Sequence, residues 1–216
     1  MKLFLSFFII MSLSACGTAQ KVKYSTLEKV GIHKRDILVD RIKDTNETQQ
    51  DAKEEFKSAY DELADLIDTN DRGLEKKYAR MADAVSDSED KANELDQRIK
   101  SVNAVATDLF NEWEEELAQY QSASLRRVSE QNLNTTKARY QQLYLSMLIS
   151  QQRIIPVLEV LQDNTLYLKH NLNARAISNI SSEVISVEDK VDSLIRQMEE
   201  SIAESKRFIE DMQASN

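Results

Sequence analysis

The chain has 216 residues, with 28 Lys+Arg against 37 Asp+Glu, 3 Gly, 1 Pro and 1 Cys. Three glycines cannot supply the turns of a barrel or the phosphate loop of a nucleotide fold, and one cysteine excludes an internal disulfide or a thiolate zinc site. A net charge of −9 argues against nucleic acid as a partner, because phosphate binding needs a basic footprint. With 30% charged and 41% apolar residues, the balance is that of long amphipathic helices rather than of a disordered chain.

Residues 1–15 read as a targeting signal. Lys2 is the positive start. Leu3 to Leu13 is apolar apart from Ser6 and Ser12, and is shorter than the ~20 residues a membrane-crossing helix takes. Leu13-Ser14-Ala15-Cys16 resembles a bacterial lipoprotein signal: a branched apolar residue, two small ones, then the lone cysteine. The resemblance implies cleavage before Cys16, palmitate-type acylation of that residue and, with Gly17 following, an outer-membrane location facing the periplasm. The alternative is an ordinary secretory signal. Residues 16–25 are expected to form a basic linker beside the anchor. Up to Arg35 the chain carries Lys21, Lys23, Lys29, Lys34 and Arg35 against Glu28, and the remaining body is strongly acidic. Such a body is repelled by an anionic surface and stands away from it.

Residues 26–216 read as one helical domain. Apolar residues recur in alternating steps of four and three, the heptad signal of long packed helices. One stripe runs through Leu38, Ile42, Thr45, Gln49, Ala52, Phe56, Ala59, Leu63 and Leu66. The next runs from Leu74 through Val85, Ala92, Ile99 and Trp113 to Glu116 and Tyr120. A third runs from Tyr140 through Ser150 and Ile154 to Leu168, and a fourth from Ile177 through Val191, Ser201 and Phe208 to Met212.

The breaks carry turn chemistry: Asp68-Thr69-Asn70-Asp71-Arg72-Gly73, Gln121-Ser122-Ala123-Ser124, and Lys169-His170-Asn171-Leu172-Asn173. They lie about 50 residues apart, which gives helices of roughly 40 to 48 residues, or about 60–70 Å. Short turns make neighbours antiparallel. Folding about the first turn pairs Phe56 with Val85, the second pairs Ala92 with Ile154, and the third pairs Leu161 with Val184. The expected architecture is an all-α, elongated, antiparallel four-helix bundle, up-down-up-down. Ala92 is expected in a filled layer against Ile154 and Gln49.

The chemistry-bearing residues are sparse. His33 and His170 sit in no metal motif. Asp68, Asn70 and Arg72 before Gly73 lack the carboxylates of a calcium loop. Glu112, Glu114, Glu115 and Glu116 flank Trp113 but point in different directions on a helix. No cofactor and no metal are expected, and the chain reads as non-enzymatic. Trp113, on the seam, reads as a core anchor. Thr45, Gln49, Ser88 and Asn164 are polar seam positions that set register or form a wet waist. Pro156 is expected to kink the third helix or act as a hinge.

Two segments carry a family resemblance: Gly31-Ile32-His33-Lys34-Arg35-Asp36-Ile37-Leu38-Val39-Asp40-Arg41, and Leu166-Tyr167-Leu168-Lys169-His170-Asn171-Leu172-Asn173-Ala174-Arg175-Ala176-Ile177. They resemble an uncharacterised bacterial family defined as a domain of unknown function, whose members are often lipoproteins. The resemblance spans the mature chain and implies no activity.

The functional expectation is a lipid-anchored cell-envelope protein, a rigid rod that serves as scaffold or adaptor for an envelope protein or an anionic wall polymer. Arg72, Lys169, His170 and Arg175 are expected to gather at the distal tip as its binding cluster. Self-association through the long seams is a further expectation. The alternative is a membrane-active module that opens its bundle at a bilayer.

Overall fold

The computed structural model describes residues 33–67 and 73–214. These form four helices: α1 (Lys34–Ile67), α2 (Leu74–Leu117), α3 (Ala123–His170) and α4 (Ala174–Ala214). No strand occurs among the described residues, so the chain is all-α. The signal at 1–15, Cys16, the linker at 16–25 and Arg72 lie outside the described residues.

Local chemistry explains where each helix begins. The carbonyl of His33 accepts from the amides of Asp36 and Ile37, and the Asp36 carboxylate accepts from the His33 amide at 3.3 Å. That reciprocal arrangement satisfies amides that would otherwise be orphaned in the first turn. Gly73 precedes α2 at φ 85°, in the left-handed region. An added Cβ there would meet nothing within 4 Å, so any cost of substitution is conformational rather than steric. Ser122 caps α3 by accepting from the Leu125 amide at 3.4 Å. Asn173 caps α4 by accepting from the amides of Arg175 and Ala176, both at 3.1 Å.

The heptad stripes are the buried faces. Leu38, Ile42, Phe56 and Leu63 of α1 meet Met81, Leu95, Ile99 and Val102 of α2 in one continuous core. Leu143, Met147, Val157 and Leu161 come from α3, and Val187, Leu194 and Met198 from α4. Helix α1 packs against α2 and α4, and α3 packs against the same two. Burial of these faces, rather than intrinsic propensity, is what holds such long helices in water.

Cross-helix polar contacts fix which residues face one another. Between α1 and α2, Asp44 meets Arg98 at 3.4 Å, Asp51 meets Lys91 at 3.0 Å, Glu62 meets Arg80 at 3.0 Å and Asp65 meets Lys77 at 2.8 Å. Between α2 and α3, Tyr140 donates to Asn103 at 3.1 Å and Gln151 to Asp96 at 2.6 Å. Arg139 on α3 pairs with Asp211 on α4 at 2.7 Å. Lys53 on α1 pairs with Glu199 on α4 at 2.7 Å.

Several expectations change in detail. Helix α1 has 34 residues, fewer than expected, while the others have 44, 48 and 41. Helix α2 stops at Leu117, so Tyr120 lies beyond it, and Glu116 in its last turn is exposed; neither is a seam residue. Ala92 is half-buried rather than enclosed in a filled layer, because it lies beside the seam whose centre is Leu95. Trp113 is half-buried, and its indole donates to Ser129 Oγ at 2.8 Å, which is how a ring at a wet boundary satisfies its N–H. Helix α3 runs through Pro156 without ending.

Candidate functional site

Two places in the fold concentrate polar groups. The first is the turn between α3 and α4. Lys169 and His170 close the last turn of α3, where the Lys169 ammonium complements the negative end of the helix dipole. Arg175 opens α4 directly after the Asn173 cap. Asn171 holds the turn by donating to the Tyr167 carbonyl at 3.0 Å, and Asn179 donates to the Tyr167 hydroxyl at 3.2 Å. Lys169, His170 and Arg175 are all exposed, and none makes a side-chain ion pair or hydrogen bond among the described residues. They share one short turn. Arg72, expected beside them, lies outside the described residues. The exposed Leu166 and Tyr167 stand on the same turn, an apolar contribution that charge counting had not included.

The second is a buried polar layer at mid-length. Gln49 of α1 is fully buried. Its amide nitrogen donates to Ser150 Oγ on α3 at 2.9 Å and to Ser201 Oγ on α4 at 3.0 Å. Ser150 in turn donates to the Met147 carbonyl at 2.8 Å. The Gln49 carbonyl oxygen has no partner among the described residues, and the same holds for Asn164 Oδ1 and Asn46 Oδ1. Thr45 and Ser88, the other polar seam residues, bond back to the carbonyls of Arg41 and Ala84 on their own helices. Sequence reading singled out Gln49 but not its partners. Ser150 stood on its stripe as a serine in an apolar run, and Ser201 stood with Ser205 between Met198 and Phe208, and that was the signal available.

An aromatic cluster packs nearer the other end. Tyr140 stacks on Tyr144 and meets Phe110 and Phe208 edge-on, at centroid distances of 5.9, 5.5 and 6.1 Å. Burial holds the Tyr140 phenol well above its ordinary range. The shaft carboxylates shift the other way: hydrogen bonds from Lys77 to Asp65, from Lys91 and Arg98 to Glu94, and from Lys100 to Asp96 lower each of them. Among the described residues no group of three or more His, Cys, Asp or Glu converges as metal ligands would. None of the described helices is long and apolar enough to cross a membrane.

The molecule is therefore an all-α protein of long packed helices with a polar layer across its core and a basic turn at one end. The family whose pattern it carries is the protein of unknown function family DUF2959, matched over residues 23–212, and the chain belongs to it. Neither a curated protein nor a solved structure matches the chain.

Proposed function

We infer that the chain is a non-enzymatic, lipid-anchored envelope protein whose bundle acts as a scaffold or adaptor. In this reading the helices run up-down-up-down as an antiparallel bundle. The ladder of contacts supports it: from Asp44–Arg98 through Asp51–Lys91 to Asp65–Lys77, numbers climb on α1 as they fall on α2. The same inverse order relates α2 to α3 through Asn103–Tyr140, Asp96–Gln151 and Glu89–Gln162. It relates α1 to α4 through Lys53–Glu199 and the bond from Arg35 to the Met212 carbonyl.

The membrane end is then the end that carries Lys34 and the α2–α3 turn, and Cys16 supplies the anchor. The α3–α4 turn is the distal tip. The observation that carries the partner assignment is the group of Lys169, His170 and Arg175, exposed and without a side-chain partner among the described residues, on an otherwise acidic body. A charged end of opposite sign to its shaft orients an anionic partner toward that end. An acidic envelope-protein surface or an anionic wall polymer has the required chemistry, and the location is the periplasmic face of the outer membrane.

The test is capture of envelope components by the purified protein. Changing Arg72, Lys169 and Arg175 together to Gln abolishes capture and leaves helicity and melting intact, and capture by the unaltered protein weakens with salt. Normal capture by the triple variant, with crosslinks on the helix faces, removes the tip from consideration.

A further inference from the structure

The buried seam of α3 has a counterpart on the other side of the same helix. Tyr140, Leu143, Met147, Ser150, Ile154 and Val157 are buried. Two positions before them stand Ala138, Gln141, Leu145, Leu148, Gln152 and Ile155. Two residues turn a helix by about 200°, so this second row repeats the three-and-four spacing of the first on nearly the opposite face. Helix α3 packs against α2 and α4, which cover the first row and leave the second outward. Leu145 is 58% and Ile155 57% exposed. Ala138, Gln141 and Gln152 are exposed as well, and Leu148 is half-buried.

The row is also uncharged. From Tyr140 to Gln152 the helix carries no Asp, Glu, Lys or Arg, in a chain of which 30% is charged. Lys137 and Arg139, on its near side, pair with Glu114 and Asp211. Arg153 and Glu159, on its far side, are one cation and one anion, so their charges offset.

We propose that this outer row is where a second copy of the chain binds, α3 against α3 across a two-fold axis. The seams buried within each copy take no part. An acidic body repels its own copy wherever carboxylates would meet, and no Asp or Glu stands on α3 between Tyr140 and Leu158. A basic segment, an acidic surface or an anionic lipid finds no charge on the row to hold it, whereas a second copy needs none. Spacing in threes and fours is what two helices need to interlock along one line. Leu145, Leu148 and Ile155 supply the apolar contact. Gln141 and Gln152 each carry donors and an acceptor, so a glutamine can pair with a glutamine of the other copy and fix the register. In the same steps the row continues through Glu159 and Gln162 to Leu166, which is 63% exposed. That gives a contact about 42 Å long. Two helices touching over such a length bury on the order of 1,000 Å², the size at which specific interfaces begin. Both copies use the same patch, so assembly stops at two.

The experiment is sedimentation equilibrium of the full-length chain in density-matched detergent at micromolar concentration. The unaltered chain is expected at twice the single-chain mass. Leu145→Glu with Ile155→Glu is expected at the single-chain mass, because pairing would bury carboxylates without partners. Helicity and melting temperature are retained, since both sites face outward. Gln141→Lys with Gln152→Lys separates the copies as well, by like-charge repulsion. Leu125 is 59% exposed but stands more than about 100° round α3 from Leu145 and Ile155, and Leu125→Glu leaves the dimer intact. A single-chain mass for the unaltered chain, a dimer that survives both paired changes, or an equal loss of the dimer in Leu125→Glu overturns the proposal. An unaltered chain that is monomeric and binds phosphatidylcholine vesicles, and that Leu145→Glu with Ile155→Glu releases, overturns it too and assigns the row to lipid.

Discussion

Gln49 Nε2 lies 2.9 Å from Ser150 Oγ, and this bond ties α1 to a helix it does not adjoin in sequence. The same nitrogen reaches Ser201, so one side chain links three helices at a single level. Displacing any of the three by a turn would leave a buried amide unsatisfied, at about 1–3 kcal/mol. This layer therefore specifies register where apolar heptads alone would tolerate a shift.

Gln49→Ala removes the bonds and opens a cavity, and costs about 2–4 kcal/mol in denaturant unfolding. Gln49→Leu keeps the volume and removes the unpartnered carbonyl, so its stability stays within about 1 kcal/mol of the parent. A loss from Gln49→Leu as large as that from Gln49→Ala would show that the hydrogen bonds, and not the packing, hold this layer.

Overpacking distinguishes core alanines from those beside the core. Ala106 is 0% exposed, so Ala106→Trp costs about 1–3 kcal/mol or more. Ala92 is half-buried, and Ala92→Trp costs less because the ring can turn toward solvent. Thermal melts of both variants check the order.

Pro156 interrupts the hydrogen-bond ladder inside α3 and has no amide to offer the preceding turn. Pro156→Ala restores that bond and raises stability by about 1 kcal/mol or more. A lower denaturation midpoint in this variant would mean that the helix is built around the proline.

Stability also depends on pH, with a sign that follows from the shifts. The Asp65, Glu94 and Asp96 carboxyls are lowered by their cationic partners, so they stabilise above the unfolded carboxylate range near ~4 and lose this as pH falls through their folded values. The Tyr140 phenol is raised by burial, so its contribution is complete below the ordinary value near ~10 and is lost as pH rises above it. Melting temperature is expected to fall at both limits. Tyr140→Phe diminishes the alkaline fall and costs about 1 kcal/mol at neutral pH through the lost bond to Asn103. An unaltered alkaline limb in that variant would assign the fall to other groups.

The anchor is tested by Cys16→Ser. The variant fails to incorporate labelled palmitate and is either uncleaved or released from membranes by a high-salt wash. Acylation of the variant, or cleaved protein that stays bound through the wash, would place the anchor elsewhere.

Much of this fold was legible in the chain. The heptad steps from Leu38 to Leu66 and from Tyr140 to Leu168 marked the buried faces, because a helix can bury only residues that return every three to four positions. The three breaks were legible as well: Gly73 read as the stop of the first helix and stands just before α2, the Gln121–Ser124 stretch read as a break and holds the Ser122 cap, and of Asn171 and Asn173 as caps it is Asn173 that accepts from the first amides of α4. Partnership was decided in three dimensions. Nothing local in Gln49 selects Ser150 or Ser201, which lie 101 and 152 residues away and meet it only once three helices are packed. Nor does composition tell Leu125 from Leu133, which are 59% and 2% exposed: eight residues apart, they stand about 80° round α3, and only the packing of the other helices decides which side is covered.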